Sequence, residues 1–335
     1  MSGPFAAARR GTDSALVTGE RRFKDFVALR LAALAMLPAL VTFASFVETW
    51  PINLAQHFSF HVWMCLSVLV ALLLLLDSPR WAVALFVPLL IQSFRLAPLY
   101  APGDTSSHLG PKLTVLELNT HRENSRTDQI VAVIERNPAD VVLLVELTDW
   151  HAEAVERAMA SGRLPHRALV LRPRSDGYGI GALTKLPGSG RIVELGRGAP
   201  PSVELRLLFQ GQPVALLGLH APPPLSANEA ELNRTELLGA AGWARTTTVS
   251  AKIVAGDLNA TRPSTWFRPL LDVGLTSAEL GQGYGATWPT SLGGFGIPID
   301  HVLFGGPLRL VKRELIEGSG SDHFGQIVTF ERRLE

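Results

Sequence analysis

The chain is almost without cysteine. Its one thiol among 335 residues, Cys65, lies in an apolar run. That excludes a disulfide framework, a thiol nucleophile and a cysteine-based zinc site. Charge is also sparse: 18% of residues are charged and 47% are hydrophobic, an apolar balance for a soluble protein. From Leu113 onward no cluster of Lys and Arg appears. Leu113 to Glu335 carry 22 basic and 24 acidic residues, a net of about −2. The electrostatic footprint of a nucleic-acid binder is missing, which makes nucleic acid the less favoured partner. The first 25 residues mix both signs of charge and show no small-residue cleavage site, so the first apolar run reads as a retained anchor. In "GYGIGAL" the glycines Gly177, Gly179 and Gly181 lack the G-x-G-x-x-G spacing and no helix follows. A glycine-rich turn entering a strand is expected there rather than a nucleotide loop.

What the chain does have is three long apolar runs. Phe26 to Phe46 holds one charge, Arg30, and Phe58 to Leu76 holds none. Trp81 to Phe94 is charge-free, and Arg95 interrupts it before Leu96 to Tyr100. A helix crossing a bilayer needs roughly 20 apolar residues. The first two runs reach that length, and the third does so with Arg95 at the interface, its head in water. A soluble bundle is the competing reading, but "LSVLVALLLLL" has no polar face to show to water. Basic residues set the orientation. Arg9, Arg10, Arg21, Arg22 and Lys24 precede the first run, the loop from Val47 to His57 has no Lys or Arg, and Arg80 marks the next turn. The N-terminus is expected inside a bacterial cytoplasmic membrane, the first loop outside, and everything after Tyr100 outside. The expected organisation is a cytoplasmic segment 1–25, transmembrane helices within 26–100 (26–46, 58–76 and 81–100), a Pro/Gly/Ser-rich linker 101–112 and a catalytic domain 113–335.

From Leu113 onward strand-like and helical runs mix. "LTVLELN", "ADVVLLVE", "HRALVLR", "IGALTK", "RIVEL", "SVELRLLF", "QPVALLGLH", "KIVAGDLN", "IDHVLF", "LRLVKREL" and "GQIVTFERR" read as strands. "RTDQIVAVIERN", "DWHAEAVERAMA", "SANEAELNRTELLGAAGWAR" and the short "STWFRPLLD" read as helices. Ser226 with Glu229 three residues on forms a capping box. Adjacent strands with few helices between them point to two packed, antiparallel-rich sheets with helices outside.

Six strand-like runs finish in polar residues: Asn119, Glu146, His220, Asp257 with Asn259, Asp300 with His301, and Asp322 with His323. A single buried Asp or Asn is commonly a turn cap. Six at strand ends can instead converge in one cleft. Hard oxygen donors suit Mg²⁺, Mn²⁺ or Ca²⁺. Histidine beside carboxylates supplies an acid or base near neutrality. Together they equip a site for metal-assisted attack of water on phosphorus.

These residues, in this order, resemble the endonuclease/exonuclease/phosphatase superfamily, the DNase I-like fold. "VELT" resembles its metal-binding Glu motif, "GIGALTK" its glycine-bearing strand and "GLHAPPP" its central His strand. "GDLNA" matches its Asp-x-Asn motif, "IDHVLF" its Ile-Asp-aromatic strand and "SDHFGQIV" its closing Ser-Asp-His. The likeness covers about residues 113 to 332. It implies a four-layer α/β/β/α sandwich, here behind an N-terminal bundle of about three transmembrane helices, and a phosphoesterase using Mg²⁺ or Mn²⁺. It further implies that Glu146, with Asn119 and Asp322, holds the metal. His323 would be the general base or stabilise the phosphorane-like state, oriented by Asp300. Asp257 would position or deprotonate the water, and Asn259, His220 and Asn119 would bind phosphate oxygens. His121 stands where many relatives have an acid. His301 replaces a common aromatic and is expected in packing or behind the site. Tyr178 is expected at the cleft or as a loop aromatic, Thr287 facing substrate, and Trp288 in packing or at the rim.

Three functions fit unequally. A membrane-anchored phosphatase or phosphodiesterase outside the cytoplasm is favoured, because anchoring beside the bilayer raises the effective concentration of lipid-linked phosphorylated substrate. Some bacterial membrane-anchored relatives are associated with undecaprenyl-lipid phosphates. An anchored extracytoplasmic nuclease is the alternative, weakened by the missing basic stripe. A scaffold with a decayed hydrolase domain is opposed by the intact set of Glu146, Asp257, Asn259, Asp322 and His323.

Overall fold

The structure is a computed structural model that describes residues 5–44, 46–101 and 110–332. Most of the expected linker, residues 102–109, and the chain ends 1–4 and 333–335 lie outside the described residues. The chain divides into two compact units. One comprises residues 1–47 and 58–96, and the other 48–57 and 97–335.

The first unit is helical. Helix α1 spans Phe5–Ala44, α2 Ser59–Leu75 and α3 Pro79–Tyr100. Helix α1 therefore begins well before the apolar run at Phe26. Helix propagation needs no apolar face, and "AAARRGTDSALVTGERR" contains only two Gly and no Pro to stop it. Three segments are long and apolar enough to cross a membrane: Arg21–Ala44, Ile52–Leu75 and Pro79–Tyr100. Small and branched residues, Ala28, Ala35, Val62, Leu66, Leu73 and Ala82, bury against one another. Polar bonds tie the helices: Gln92 Nε2 donates to Thr42 Oγ1 at 3.1 Å and Trp63 Nε1 to Ser93 Oγ at 3.0 Å. In an apolar medium such bonds have no water to compete with them.

The second unit is a sandwich of two six-stranded mixed sheets. In chain order the first contains β1 Lys112–Asn119, β2 Val141–Val145, β3 Arg167–Arg172, β4 Ile180–Thr184, β11 Leu308–Ile316 and β12 Gly325–Arg332. The second contains β5 Gly188–Glu194, β6 Pro201–Phe209, β7 Gln212–His220, β8 Ala251–Asp257, β9 Thr276–Ser277 and β10 Asp300–Gly305. Their orders are β11-β12-β1-β2-β4-β3 and β5-β6-β7-β8-β10-β9. Val115, Leu143, Val145, Leu205, Leu216, Ile253 and Phe330 fill the space between the sheets. Helices α4 Thr127–Arg136 and α5 Asp149–Ala160 cover the first sheet's outer face. Helices α6 Ala227–Thr246 and α7 Arg268–Asp272 cover the second. This is the four-layer α/β/β/α arrangement. Ser226 caps α6 as its sequence requires, its Oγ accepting from the Glu229 N–H.

Among the described residues only β1–β2 and β7–β8 pair in parallel. A parallel pair cannot close in a hairpin and needs a crossover, here α4 and α6. The carboxyl ends of both pairs are thus released into loops, and those four ends carry Asn119, Glu146, His220 and Asp257. Asp300 instead opens β10, and Asp322 and His323 lie in the loop before β12, so these three do not finish strands as expected.

Candidate active site

Strand register builds the site. His220 pairs with Asp257 across β7–β8, and Asp257 pairs with Asp300 across β8–β10. The three side chains stand in a row on adjacent strands, about 4.8 Å per step. Gly256 makes the close pairing possible. Its φ is +135°, and an added Cβ would lie 1.9 Å from the Leu219 carbonyl oxygen. From the other sheet, Asn119 ends β1 opposite Val145, and Glu146 follows directly. The two rows meet at Asn119, whose Nδ2 donates to Glu146 Oε1 at 3.0 Å and to Asp257 Oδ2 at 3.1 Å.

The loops are held in uncommon backbone conformations. Five non-glycine residues have positive φ among the described residues, and three border this cleft: His121 at 57°, Glu146 at 54° and Asn259 at 46°. Such strain persists where surrounding bonds over-determine it. Asn259 N donates to Asp257 Oδ1 at 2.9 Å, and its Nδ2 donates to Ala221 O at 2.9 Å. Glu146 Oε2 accepts from the Arg122 N–H, and Asn119 Oδ1 from the His121 N–H.

Opposite the row lies His323. Its Nδ1–H donates to Asp300 at 2.9 Å, which leaves Nε2 facing Asn119 Nδ2 at 3.4 Å. Burial alone would lower the His323 pKa, but the charge and hydrogen bond of Asp300, then Asp257, raise it to about 10. Burial opposes ionisation of Asp300, yet His323 holds it below the usual carboxylate range. Burial and the Asp300 charge push Asp257 well up. Burial works against Glu146 as well, but His220, the Arg122 N–H and Asn119 bring it below its ordinary value. At neutral pH this favours an Asp300⁻–His323⁺ pair and an ionised Glu146, while Asp257 holds its proton more tightly than an ordinary carboxyl.

His220 is neutral in this setting, because burial lowers its pKa. Its Nδ1–H donates to Gly177 O at 3.0 Å, and Nε2 lies 3.7 Å from Asp257 Oδ2 with a free lone pair. Tyr178 packs on it at 5.3 Å, so this loop aromatic does reach the cleft. Two sets offer ligand atoms within 4.8 Å of one another: Glu146, His220 and Asp257, and Asp257, Asp300 and His323. The first set fits a hard divalent cation better. It combines oxygen donors with a neutral imidazole, whereas His323 is already spent on Asp300.

Asp322 belongs to neither set. His121 Nδ1 lies 3.0 Å from its Oδ1, and Trp288 Nε1 donates to its Oδ2 at 2.9 Å, so it stands at the rim. Trp288 is a rim residue, with its ring 6.3 Å from that of His323. Thr287 does not face a substrate space. It is fully buried, and its Oγ1 accepts from the N–H groups of Ile299 and Asp300, which fixes the start of β10. His301 is buried on Phe267 and bonded to Ala260 O.

Sequence reading missed Glu117. It lies two residues before Asn119, and the strand period of two puts it on the same face. It is fully buried and accepts from Gln326 Nε2 at 3.1 Å. Burial, then Asp300 and Asp257, raise its pKa well above the usual range, so behind the site it holds its proton more tightly than an ordinary carboxyl.

Residues 115–323, more than half the chain, match the model of the Endonuclease/Exonuclease/phosphatase family. The chain belongs to that family. No curated protein matches it by sequence. Solved structures of family proteins share the fold at low identity. An endonuclease/exonuclease/phosphatase from Beutenbergia cavernae superposes with a TM-score of 0.53 at 19% identity, over 66% of this chain and 72% of that one. The D. rerio TDP2 complexed with single-strand DNA product gives 0.54 at 17%, over 66% and 99%. The 3′ phosphatase NExo from Neisseria, bound to product DNA hairpin, gives 0.54 at 16%, over 66% and 100%. At these identities the likeness concerns the fold alone.

Proposed function

We propose that this chain is a membrane-anchored, divalent-metal-dependent phosphoesterase acting on a phosphomonoester, pyrophosphate or phosphodiester. The observation that supports it best is the buried convergence of Glu146, Asp257, Asp300, His220 and His323, with Asn119 spanning the two sheets. Asp257 and Asp300 are buried side by side, with a half-buried Glu146 next to Asp257, and such a group is costly to ionise unless a cation or proton is shared among them. Mg²⁺ or Mn²⁺ fits that need. Glu146, with Asp257, His220 and Asn119 beside it, would hold the ion. When bound, it supplies charge neutralisation at the phosphoryl oxygens and a more acidic water.

The chain's own groups then divide the work. His323⁺, oriented by Asp300, presents Nε2–H to a phosphoryl oxygen and neutralises charge that develops there. Asn119 Nδ2 stands beside it with its two protons given to Glu146 and Asp257, and so fixes those carboxyl groups relative to His323. Asn259 keeps one Nδ2 proton for a phosphate oxygen, the other being given to Ala221 O. Asp257, in its carboxylate form, would take the proton of the attacking water. His220 offers an acceptor rather than a donor as it stands, so in this role it ligates or accepts.

Lysines and arginines before the first span, and none in the first loop, support an N-terminus inside a bacterial cytoplasmic membrane and a catalytic domain outside. An anchored domain favours a lipid-linked substrate. A nuclease is the second reading, since relatives of this fold are seen with DNA products, but the domain's charge of about −2 opposes it. Phosphate release by detergent-purified protein from a polyprenyl pyrophosphate with Mg²⁺ or Mn²⁺, against His323→Ala, tests the proposal. Metal-dependent release lost in the variant supports it. DNA cleavage with no release from any lipid phosphate would replace it by the nuclease.

A further inference from the structure

The loop between the first two apolar helices, residues 48–57, folds as part of the catalytic unit. Its bonds go to the loops that leave the active-site strands. Trp50 Nε1 donates to Pro224 O at 3.0 Å, four residues past His220. His57 Nδ1 accepts from the Thr261 N–H at 3.1 Å, two residues past Asn259. Gln56 Oε1 accepts from the Thr265 N–H at 2.6 Å. Asn53, Gln56 and His57 are buried there. The end of α3 is held in the same way. Gly281 N donates to Pro98 O at 3.2 Å and Gly283 N to Leu99 O at 2.7 Å. Those glycines open the segment that leads to Thr287 and Trp288.

Gln56 and His57 belong to the candidate span Ile52–Leu75, and Pro98 and Leu99 to Pro79–Tyr100. Ala44, which ends the span Arg21–Ala44, is six residues from Trp50, a reach of at most ~22 Å. The chain that enters the second span and the chain that leaves the third are thus tied to the loops that follow β7, β8 and β9. The surface of those loops is unlike the rest of the domain. Ala221–Asn228 and Gly281–Ile299 contain no Asp, Glu, Lys or Arg. They expose Leu225 (75%), Leu292 (55%) and Phe295 (62%), and they carry Trp288, whose ring lies 6.3 Å from that of His323. Uncharged segments with exposed Leu, Phe and Trp suit the headgroup–acyl boundary of a bilayer.

We propose that the mouth of the active site is seated on the bilayer surface, its uncharged lips at 221–228 and 281–299 dipping into the headgroups. The first interhelical loop and the end of α3 hold it there, so that the phosphate ester is drawn from a lipid in that surface. The substrate class rests on the phosphoesterase reading, and the seat does not. One consequence is topological: the loop 48–57 and the catalytic domain share a side, so α2 and α3 cross out and back.

The test uses full-length protein in phosphatidylcholine vesicles, in a Cys65→Ala background. Leu225→Cys, Phe295→Cys and Leu208→Cys carry an environment-sensitive fluorophore, and lipids spin-labelled near the headgroup are the quencher. Leu208 is exposed at the opposite end of the strands, paired with Pro213 beside the β6–β7 turn. Quenching at 225 and 295 at least ~3-fold stronger than at 208 is expected for side chains at the interface. Equal quenching at all three overturns the seat. A second variant, Leu292→Asp with Phe295→Asp, is assayed with a lipid-borne phosphate ester in the vesicles and with water-soluble p-nitrophenyl phosphate. A loss of ~10-fold or more on the lipid, with the soluble ester within ~2-fold of wild type, is expected from lost surface residence. Equal loss on both esters overturns the proposal. Strong quenching with no hydrolysis of any ester supports the seat and removes the phosphoesterase reading instead.

Discussion

Two regions of the catalytic domain bury carboxyl groups, and they solve the problem differently. On the second sheet Glu204 is almost fully buried, but Arg191 and Arg206 each approach it at 2.5 Å and Trp243 Nε1 donates to it at 3.0 Å. Burial opposes its ionisation, and those partners still bring its pKa below the ordinary value. Nearby, on the buried face of α6, Glu236 has only the Ser202 hydroxyl, and burial pushes its pKa up to about 8. In the cleft the partners are histidines: His323 Nδ1 lies 2.9 Å from Asp300, and His220 Nε2 3.7 Å from Asp257. A structural acid is matched by arginines or keeps its proton. The cleft acids share imidazoles and one another, which suits the cation proposed above.

The largest expected effect breaks this comparison at its strongest point. His323→Ala removes the cation that balances Asp300, and kcat/KM for phosphate release should fall by ~10²–10⁴-fold. Glu236→Gln should leave kcat/KM within about 2-fold, since its partner is a structural hydroxyl. A comparable fall in Glu236→Gln would erase the distinction between the two regions.

Metal addition sharpens it next. At a hundredfold excess over Kd, Mg²⁺ or Mn²⁺ should stabilise the wild type by about 2.7 kcal/mol. In Glu146→Gln the shift in thermal midpoint should shrink or vanish, whereas Arg191→Ala should retain it. An unchanged shift in Glu146→Gln would move the ion elsewhere.

Glu236 gives a pH signature of its own. Its folded pKa of about 8 lies above the unfolded value of about 4.3, so its contribution is fully present below pH 4.3. It is lost as pH rises toward 8. Glu236→Gln should therefore be more stable than wild type at pH 7–8, with the difference closing by up to ~1.4 kcal/mol per unit toward pH 4.5. Denaturant midpoints across that range would show it, and a constant difference would refute it. The smallest effect belongs to Arg191→Ala. Arg191 is mostly exposed and Glu204 keeps Arg206 and Trp243, so under about 1 kcal/mol of stability should be lost.

Much of this was written locally. Apolar runs of about twenty residues declare three membrane-length helices. Period-two runs declare the strands, and the pattern at Ser226 and Glu229 declares the start of α6. The residue types at the strand ends, carboxylate, amide and imidazole without thiol, already limit the chemistry. Only the tertiary structure decided which of them meet. Asp257 lies beside both His220 and Asp300 because register places it there, and register comes from how whole strands bury their faces. Asp322 is next to His323 in sequence yet turns to Trp288 and His121 at the rim, because neighbours along a loop need not share a direction. Thr287 holds β10 rather than facing a substrate. Trp50, Gln56 and His57 carry no motif. Their attachment to the phosphate-side loops rests on hydrogen bonds spanning more than 170 residues of chain, which periodicity and composition do not encode.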